Sequence, residues 1–276
     1  MQDGATIAFT DEGSGRPVVL IPGICCSRRW WDLQREALRA DHRVISVDVR
    51  GIGCSPQIAH GHRVARYAAD VAALIESLDL REVVVVGWSL GFSIALALIE
   101  LAGQARLSGL VLVEGSPRLL NGSDWTFGVA GVDEGMRMRD AFRDRWEQSI
   151  EALMHDIVGH ASDPDLAKLV GDARRADPDA TARLFWDHLN QDWRDVLPTV
   201  RVPTLVVAGA ASGIGDSVGA ARYTAAVVPN ARLEVVAGAG HALFRERPDR
   251  FNALLEEFLR RLGSLRSAVT PRAGQT

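Results

Sequence analysis

The 276-residue chain is sparing with several things, and each shortage excludes a class of protein. It has three cysteines, Cys25, Cys26 and Cys54, an odd number with two adjacent, which is not a disulfide framework. Lys168 is the only lysine among 31 basic residues, a skew of composition rather than of function. Against 35 acidic residues they leave a net charge of -4, without the basic excess that nucleic-acid binders gather on one face. No apolar run approaches the ~20 residues of a membrane span. The nearest, 92–102, is short and interrupted by Ser93 and Glu100. The opening Met-Gln-Asp-Gly-Ala-Thr lacks the basic and apolar regions of a signal peptide. No G-x-x-x-x-G-K-[ST] or G-x-G-x-x-G stands at a strand–helix junction, so no nucleotide cofactor is indicated. These absences predict a soluble, cytoplasmic protein in a reducing compartment, with no cofactor, nucleic acid or membrane span.

What is present is a large apolar fraction, 47% of residues, arranged in alternation. Continuous β-branched runs at 18–21, 44–47, 83–86, 110–113, 205–207 and 233–236 suit strands covered on both faces, as in a mainly parallel sheet. Between them lie helical stripes: Tyr67, Val71, Leu74, Ile75 and Leu78 form one, and Phe251, Leu254, Leu255, Phe258 and Leu259 another. The alternation predicts an α/β fold with helices on both faces of the sheet. From 118 to 198 no strand-like run occurs, and Trp125, Trp146, Trp186 and Trp193 all lie there. That stretch reads as a helical cap inserted between two strands, the alternative being a second helical domain with its own core. The expected organisation is core at 1–117, cap at 118–198, core again at 199–264 and a flexible tail at 265–276.

Gly87-Trp88-Ser89-Leu90-Gly91 directly follows the 83–86 strand and precedes a helical pattern with Ile94, Leu98 and Leu101. Strand, G-x-S-x-G, helix is the context in which the motif means a nucleophile elbow. The turn lifts the Ser89 hydroxyl above the sheet and aims a helix N-terminus at it. A serine nucleophile needs a base. Of seven histidines, His42 precedes a strand, His60 and His62 flank a loop glycine, and His155, His160 and His188 fall in the helical stretch. His241 instead follows Ala237-Gly238-Ala239-Gly240, a glycine-rich loop after the last strand that can bring an imidazole over the sheet edge. Glu114 stands immediately after the 110–113 strand, at the edge where active groups of such sheets gather. It is the candidate acid to orient His241, with a salt bridge to Arg118 as its ordinary reading. Asp216 precedes a helical stretch at 218–228 and reads as an N-cap. His60-Gly61-His62 has no accompanying Cys or carboxylate cluster, so no metal is expected. Cys25 and Cys26 are read as structural, and Cys25, Trp88, Trp125 and Trp186 as candidate walls of an apolar site.

With these motifs in this order, the chain from about 4 to 262 resembles the α/β-hydrolase superfamily, and it is most similar to the small esterases and the cofactor-free haloperoxidase-like, or perhydrolase, branch. Asp48-Val49-Arg50-Gly51 is similar to that family's D-x-R-G after an early strand. The resemblance implies a sheet of about eight strands with the cap between the sixth and seventh. It implies an oxyanion hole from the N–H groups of Ile24 and Leu90, although Pro22-Gly23 replaces the usual His-Gly. The family's common acid lies three residues past a glycine ending the seventh strand. Counting from Gly209 reaches Ser212, and no carboxylate occurs before Asp216. Some members carry the acid after the sixth strand, where Glu114 stands; lactonases for resorcylic lactones of the zearalenone type are among them. The implied activity is cofactor-free cleavage of a medium-sized hydrophobic ester or lactone through an acyl-enzyme. Perhydrolase, haloperoxidase or cofactor-free dioxygenase chemistry on the same fold is the alternative, as is a non-catalytic ligand-binding protein. Substrate identity, the choice between Glu114 and Asp216 as the acid, and oligomeric state stay open.

Overall fold

All six apolar runs form strands in the computed structural model, which describes residues 3–159 and 163–269. In chain order the elements are β1 (Phe9–Glu12), β2 (Arg16–Ile21), α1 (Asp32–Leu38), β3 (His42–Val47), α2 (Val64–Ser77), β4 (Val83–Trp88), α3 (Leu90–Ala102) and β5 (Leu107–Val113). Then come α4 (Val132–Asp144), α5 (Trp146–Val158), α6 (Leu166–Ala173), α7 (Pro178–Leu189), β6 (Thr204–Gly209), α8 (Ser217–Val227), β7 (Ala231–Val236), α9 (Leu243–Glu246) and α10 (Pro248–Val269). The strands form one sheet in the order β1-β3-β2-β4-β5-β6-β7. Every neighbouring pair is parallel except β1 and β3.

The sheet therefore has seven strands among the described residues rather than about eight, and the strand expected as sixth is β5. β1 was not apparent as a strand. Its Phe-Thr-Asp-Glu has a single apolar residue and sits at the sheet edge, held by backbone pairing of Phe9 with Val47 through Glu12 with Val44. β4 is the opposite case. All six of its residues are buried, and each buried valine contributes roughly 1.5–3 kcal/mol.

The strand order places the helices. From β2 the chain crosses through α1 to β3 in one direction; from β4 it crosses through α3 to β5 in the other. Right-handed crossovers in opposite directions put their helices on opposite faces. Accordingly α1 packs with α10, and α2 packs with α3. The reversal falls between β2 and β4, and the loops leaving their C-terminal ends open a crevice there.

Four helices, α4 to α7, fill the long connection between β5 and β6. The first starts only at Val132, after a looped stretch with isolated bridges such as Arg118 to Asp192. Phe142 of α4 meets Phe185 of α7 with ring centroids 5.0 Å apart. Phe142, Ile150, Ile157, Leu184 and Leu189 belong to the same continuous buried cluster as the strands. The insert is also tied to α2 by the Val64 N–H, which donates to Asp187 Oδ2 at 2.8 Å. His160 lies outside the described residues. Helix α10 runs to Val269, so it takes in the start of the stretch expected as a tail; residues 270–276 lie outside the described ones. No described helix is long and apolar enough to cross a membrane.

Candidate active site

At the end of β4 the chain turns so tightly that only glycine fits on either side of Ser89. A Cβ on Gly87 would stand 2.1 Å from the Gly91 carbonyl oxygen, and one on Gly91 would stand 2.4 Å from that of Ile21. Ser89 itself has φ 55 and ψ -113, a conformation that costs a side-chain-bearing residue roughly 1–3 kcal/mol. Its N–H donates to the Val113 carbonyl, extending the β4–β5 ladder by one rung, and its carbonyl accepts from Phe92 N–H as α3 begins. Ile24 lies in a turn closed by Cys26 N–H donating to the Gly23 carbonyl at 3.2 Å, with Cys25 at φ 57. Neither Ile24 N–H nor Leu90 N–H is spent on a hydrogen bond among the described residues.

Glu114 follows β5 with φ 46 and is buried. Its N–H donates to the Val207 carbonyl, so the backbone is clamped to β6 while the side chain crosses the sheet edge. Glu114 Oε2 accepts from His241 Nδ1 at 3.0 Å. Oε1 accepts from Gly209 N–H at 2.5 Å and from Ser217 Oγ at 3.0 Å. All of this carboxylate is therefore committed, one oxygen to the imidazole and the other to two donors. Asp216, by contrast, is exposed, and its Oδ1 accepts from Gly219 N–H at 2.8 Å as the N-cap of α8. Ser217 is a contributor that the sequence did not single out. It is one small residue at the start of a helix, and only the fold brings it to Glu114.

His241 sits in the loop after β7, which is held by Gly240 N–H on Glu246 Oε2 and Ala211 N–H on the Ala239 carbonyl, both at 2.9 Å. Trp88 Nε1–H donates to the His241 carbonyl, also at 2.9 Å. No hydrogen bond joins Ser89 Oγ to the imidazole in this structure, as is common before a substrate tightens such a site. Both residues line one cavity of about 190 Å³, together with Glu114, Ile24, Ser217 and His188. Leu119, Phe127, Val129, Leu153, Ile157 and Phe185 supply its apolar wall.

The four residues expected as walls lie elsewhere. Trp88 is fully buried beneath the site, 5.2 Å from Trp30 and 4.8 Å from Phe244 by ring centroids, and supports the His241 loop from below. Cys25 Sγ faces Thr181 Oγ1 of α7 at 3.7 Å, away from the cavity. Trp125 packs on Phe127 and Tyr223, so Phe127 reaches the cavity and Trp125 backs it. Trp186 faces an outer groove, with the Arg139 guanidinium 5.0 Å above its ring. A large aromatic ring satisfies its burial as well in the core as in a pocket wall, and composition does not distinguish the two. Burial pushes the Cys25 thiol up to about 12 and the Cys26 thiol upward too, so both stay protonated and are poor nucleophiles. His62 is engaged by the Ile58 carbonyl and the Tyr67 hydroxyl. Among the described residues no three His, Cys, Asp or Glu side chains are grouped to hold a metal ion. Asp48 accepts from Arg28 N–H and Cys54 N–H and pairs with the Arg28 side chain, while Arg50 pairs with Asp70 at 2.8 Å. The Asp48–Gly51 motif thus anchors loops around the site rather than entering it.

Residues 16–248 match the profile of the family described as alpha/beta hydrolase fold. A non-heme haloperoxidase from Rhodococcus erythropolis is 30% identical over 271 residues, covering 93% of this chain and 97% of that protein. An esterase from Exiguobacterium antarcticum superimposes with a TM-score of 0.88 at 25% identity, over 94% of this chain and 97% of that one. A bromoperoxidase from Bacillus anthracis does so with a TM-score of 0.87 at 26% identity, over 92% and 95%.

Proposed function

Because the chain belongs to the α/β-hydrolase fold family, in its esterase and haloperoxidase-like branch, we propose that it is a serine hydrolase cleaving a carboxylic ester or lactone of a medium-sized hydrophobic molecule. The observation that carries this reading is the Glu114–His241 hydrogen bond beside the strained Ser89, all three on one apolar cavity. In this reading Ser89 Oγ attacks the substrate carbonyl while His241 Nε2 takes its proton. Glu114 holds the Nδ1–H tautomer and supports the imidazolium that forms. The Ile24 and Leu90 N–H groups receive the oxyanion; the second also carries the positive end of α3. His241 returns the proton to the leaving alcohol. Water, deprotonated by the same imidazole, then releases the acid and restores Ser89.

The 118–198 insert acts as the cap in this account, its α4, α5 and α7 roofing the cavity over the 1–117 and 199–264 core. Three free thiols fit a reducing, cytoplasmic location. A p-nitrophenyl ester assay tests the central assignment. Ser89→Ala should lose turnover by up to about 10⁶ and escape labelling by a fluorophosphonate. Unchanged turnover would refute the assignment.

A second reading is favoured by the haloperoxidases among the relatives. Hydrogen peroxide could replace water as the acceptor of the acyl group, giving a peracid that oxidises halide outside the enzyme. Peracid formed from acetate and peroxide, dependent on Ser89, would support it. Ester hydrolysis without peracid would favour the first reading.

A further inference from the structure

Most polar groups lining the cavity already have a partner. Glu114 serves His241, Gly209 and Ser217, and Ser116 Oγ donates to the Arg118 carbonyl at 2.6 Å. Asp156 is exposed at the rim. His188 is different. It lies on α7, is buried, and lines the cavity on the insert side. Its Nε2 is 3.0 Å from Ser93 Oγ on α3, and Nδ1 has no partner among the described residues.

The direction of that bond follows from the serine. Ser93 is buried and its hydroxyl has no other acceptor among the described residues, so it donates to Nε2. An Nε2 that accepts places the ring proton on Nδ1. Burial pushes the His188 imidazole down to about 4, which keeps it neutral at physiological pH. A neutral N–H donor in an otherwise apolar wall suits an uncharged oxygen. A carboxylate would lose its hydration there without a cation to compensate. Ser93 follows Ser89 by four residues, one turn or roughly 6 Å along α3 at about 1.5 Å per residue.

Building on the serine-hydrolase reading, we propose that His188 determines specificity: its Nδ1–H donates to a ketone, ether or hydroxyl oxygen that an otherwise apolar ester or lactone carries about one helical turn from the scissile carbonyl. The substrate class is thereby narrowed from hydrophobic esters to oxygenated ones, and Ser93 acts as the positioning residue that fixes the imidazole.

Two matched pairs of esters test this. p-Nitrophenyl 6-oxoheptanoate is compared with the heptanoate, and 6-oxoheptyl acetate with heptyl acetate, so that the oxygen is placed on either side of the scissile bond. The wild type should prefer the oxo member of at least one pair by about five- to tenfold in kcat/KM, the scale of one neutral hydrogen bond. That ratio should fall to about one in His188→Phe and in the Ser93→Ala/His188→Phe double variant, which leaves no orphaned hydroxyl. Melting temperature and fluorophosphonate labelling show that each variant is folded. Within the wild type alone, moving the ketone along the favoured chain should give a single maximum in kcat/KM. A flat profile, no wild-type preference, or a preference surviving in both variants would overturn the proposal. Failure of the wild type to cleave p-nitrophenyl heptanoate or heptyl acetate at all would instead overturn the hydrolase reading.

Discussion

The two walls of the cavity are built on different terms. On the sheet side the groups are fixed by backbone. Cys25, Ser89 and Glu114 are three of the five described non-glycine residues with positive φ, and each stands where a loop leaves the C-terminal end of a strand. Glu114 is clamped by four separate hydrogen bonds, one from its N–H and three to its carboxylate. On the insert side the lining is mostly apolar side chains such as Leu153, Ile157 and Phe185, and four charged residues at the end of α4 pair with one another, Arg139 and Arg143 with Asp140, and Arg143 with Asp144. The contrast implies a division of labour. Changes at the sheet edge should lower turnover of every substrate, whereas changes in the insert should alter the ratio between substrates.

Acid offers the sharpest test from the insert side. The folded-state value of His188 is depressed from 6.5 to about 4 by burial, so the unfolded chain binds this proton more readily. Its contribution is present above pH 6.5 and is lost as pH falls toward 4. Wild type should therefore lose up to about 3 kcal/mol more than His188→Phe over that window in urea titrations. Parallel curves would mean that His188 is not buried as described.

At the sheet edge, Ser217→Ala removes one of the three donors to Glu114. A hydrogen bond to a charged group is worth roughly 1.5–3 kcal/mol, so kcat/KM should fall by about ten- to a hundredfold for all esters alike. A loss confined to one ester would place Ser217 on the selective side and blur the division. The smallest effect belongs to the N-cap of α8. Asp216→Ala should cost about 1 kcal/mol and lower Tm by roughly 2–4 °C, with little change in kcat/KM.

The same contrast governs how much could be read from the sequence. β2 to β7 were legible because strands covered on both faces must be continuously apolar, and β4 is four valines followed by the elbow. β1 was not, since an edge strand is held by its backbone and tolerates polar side chains. The meeting of Ser89, His241 and Glu114 on one cavity was legible because backbone geometry imposes signatures in sequence: two glycines about a serine, a glycine-rich loop, a carboxylate at a strand end. The cavity wall was not. Trp88, Cys25, Trp125 and Trp186 satisfy burial elsewhere, and His188 reads as an ordinary helix residue until α7 is folded onto Ser93.

The central claim is that Glu114, and not the carboxylate nearest the family's common position, orients His241. Measuring kcat/KM on one p-nitrophenyl ester for Glu114→Gln and Asp216→Asn side by side tests it most directly. Glutamine leaves the imidazole without a carboxylate to hold its tautomer and support its cation, for which the expected loss is up to about 10⁴-fold. Asparagine caps a helix nearly as well as aspartate, so the second variant should stay within about twofold of wild type. A Glu114→Gln enzyme near wild-type activity beside a crippled Asp216→Asn enzyme would contradict the account and move the acid to the loop after β6.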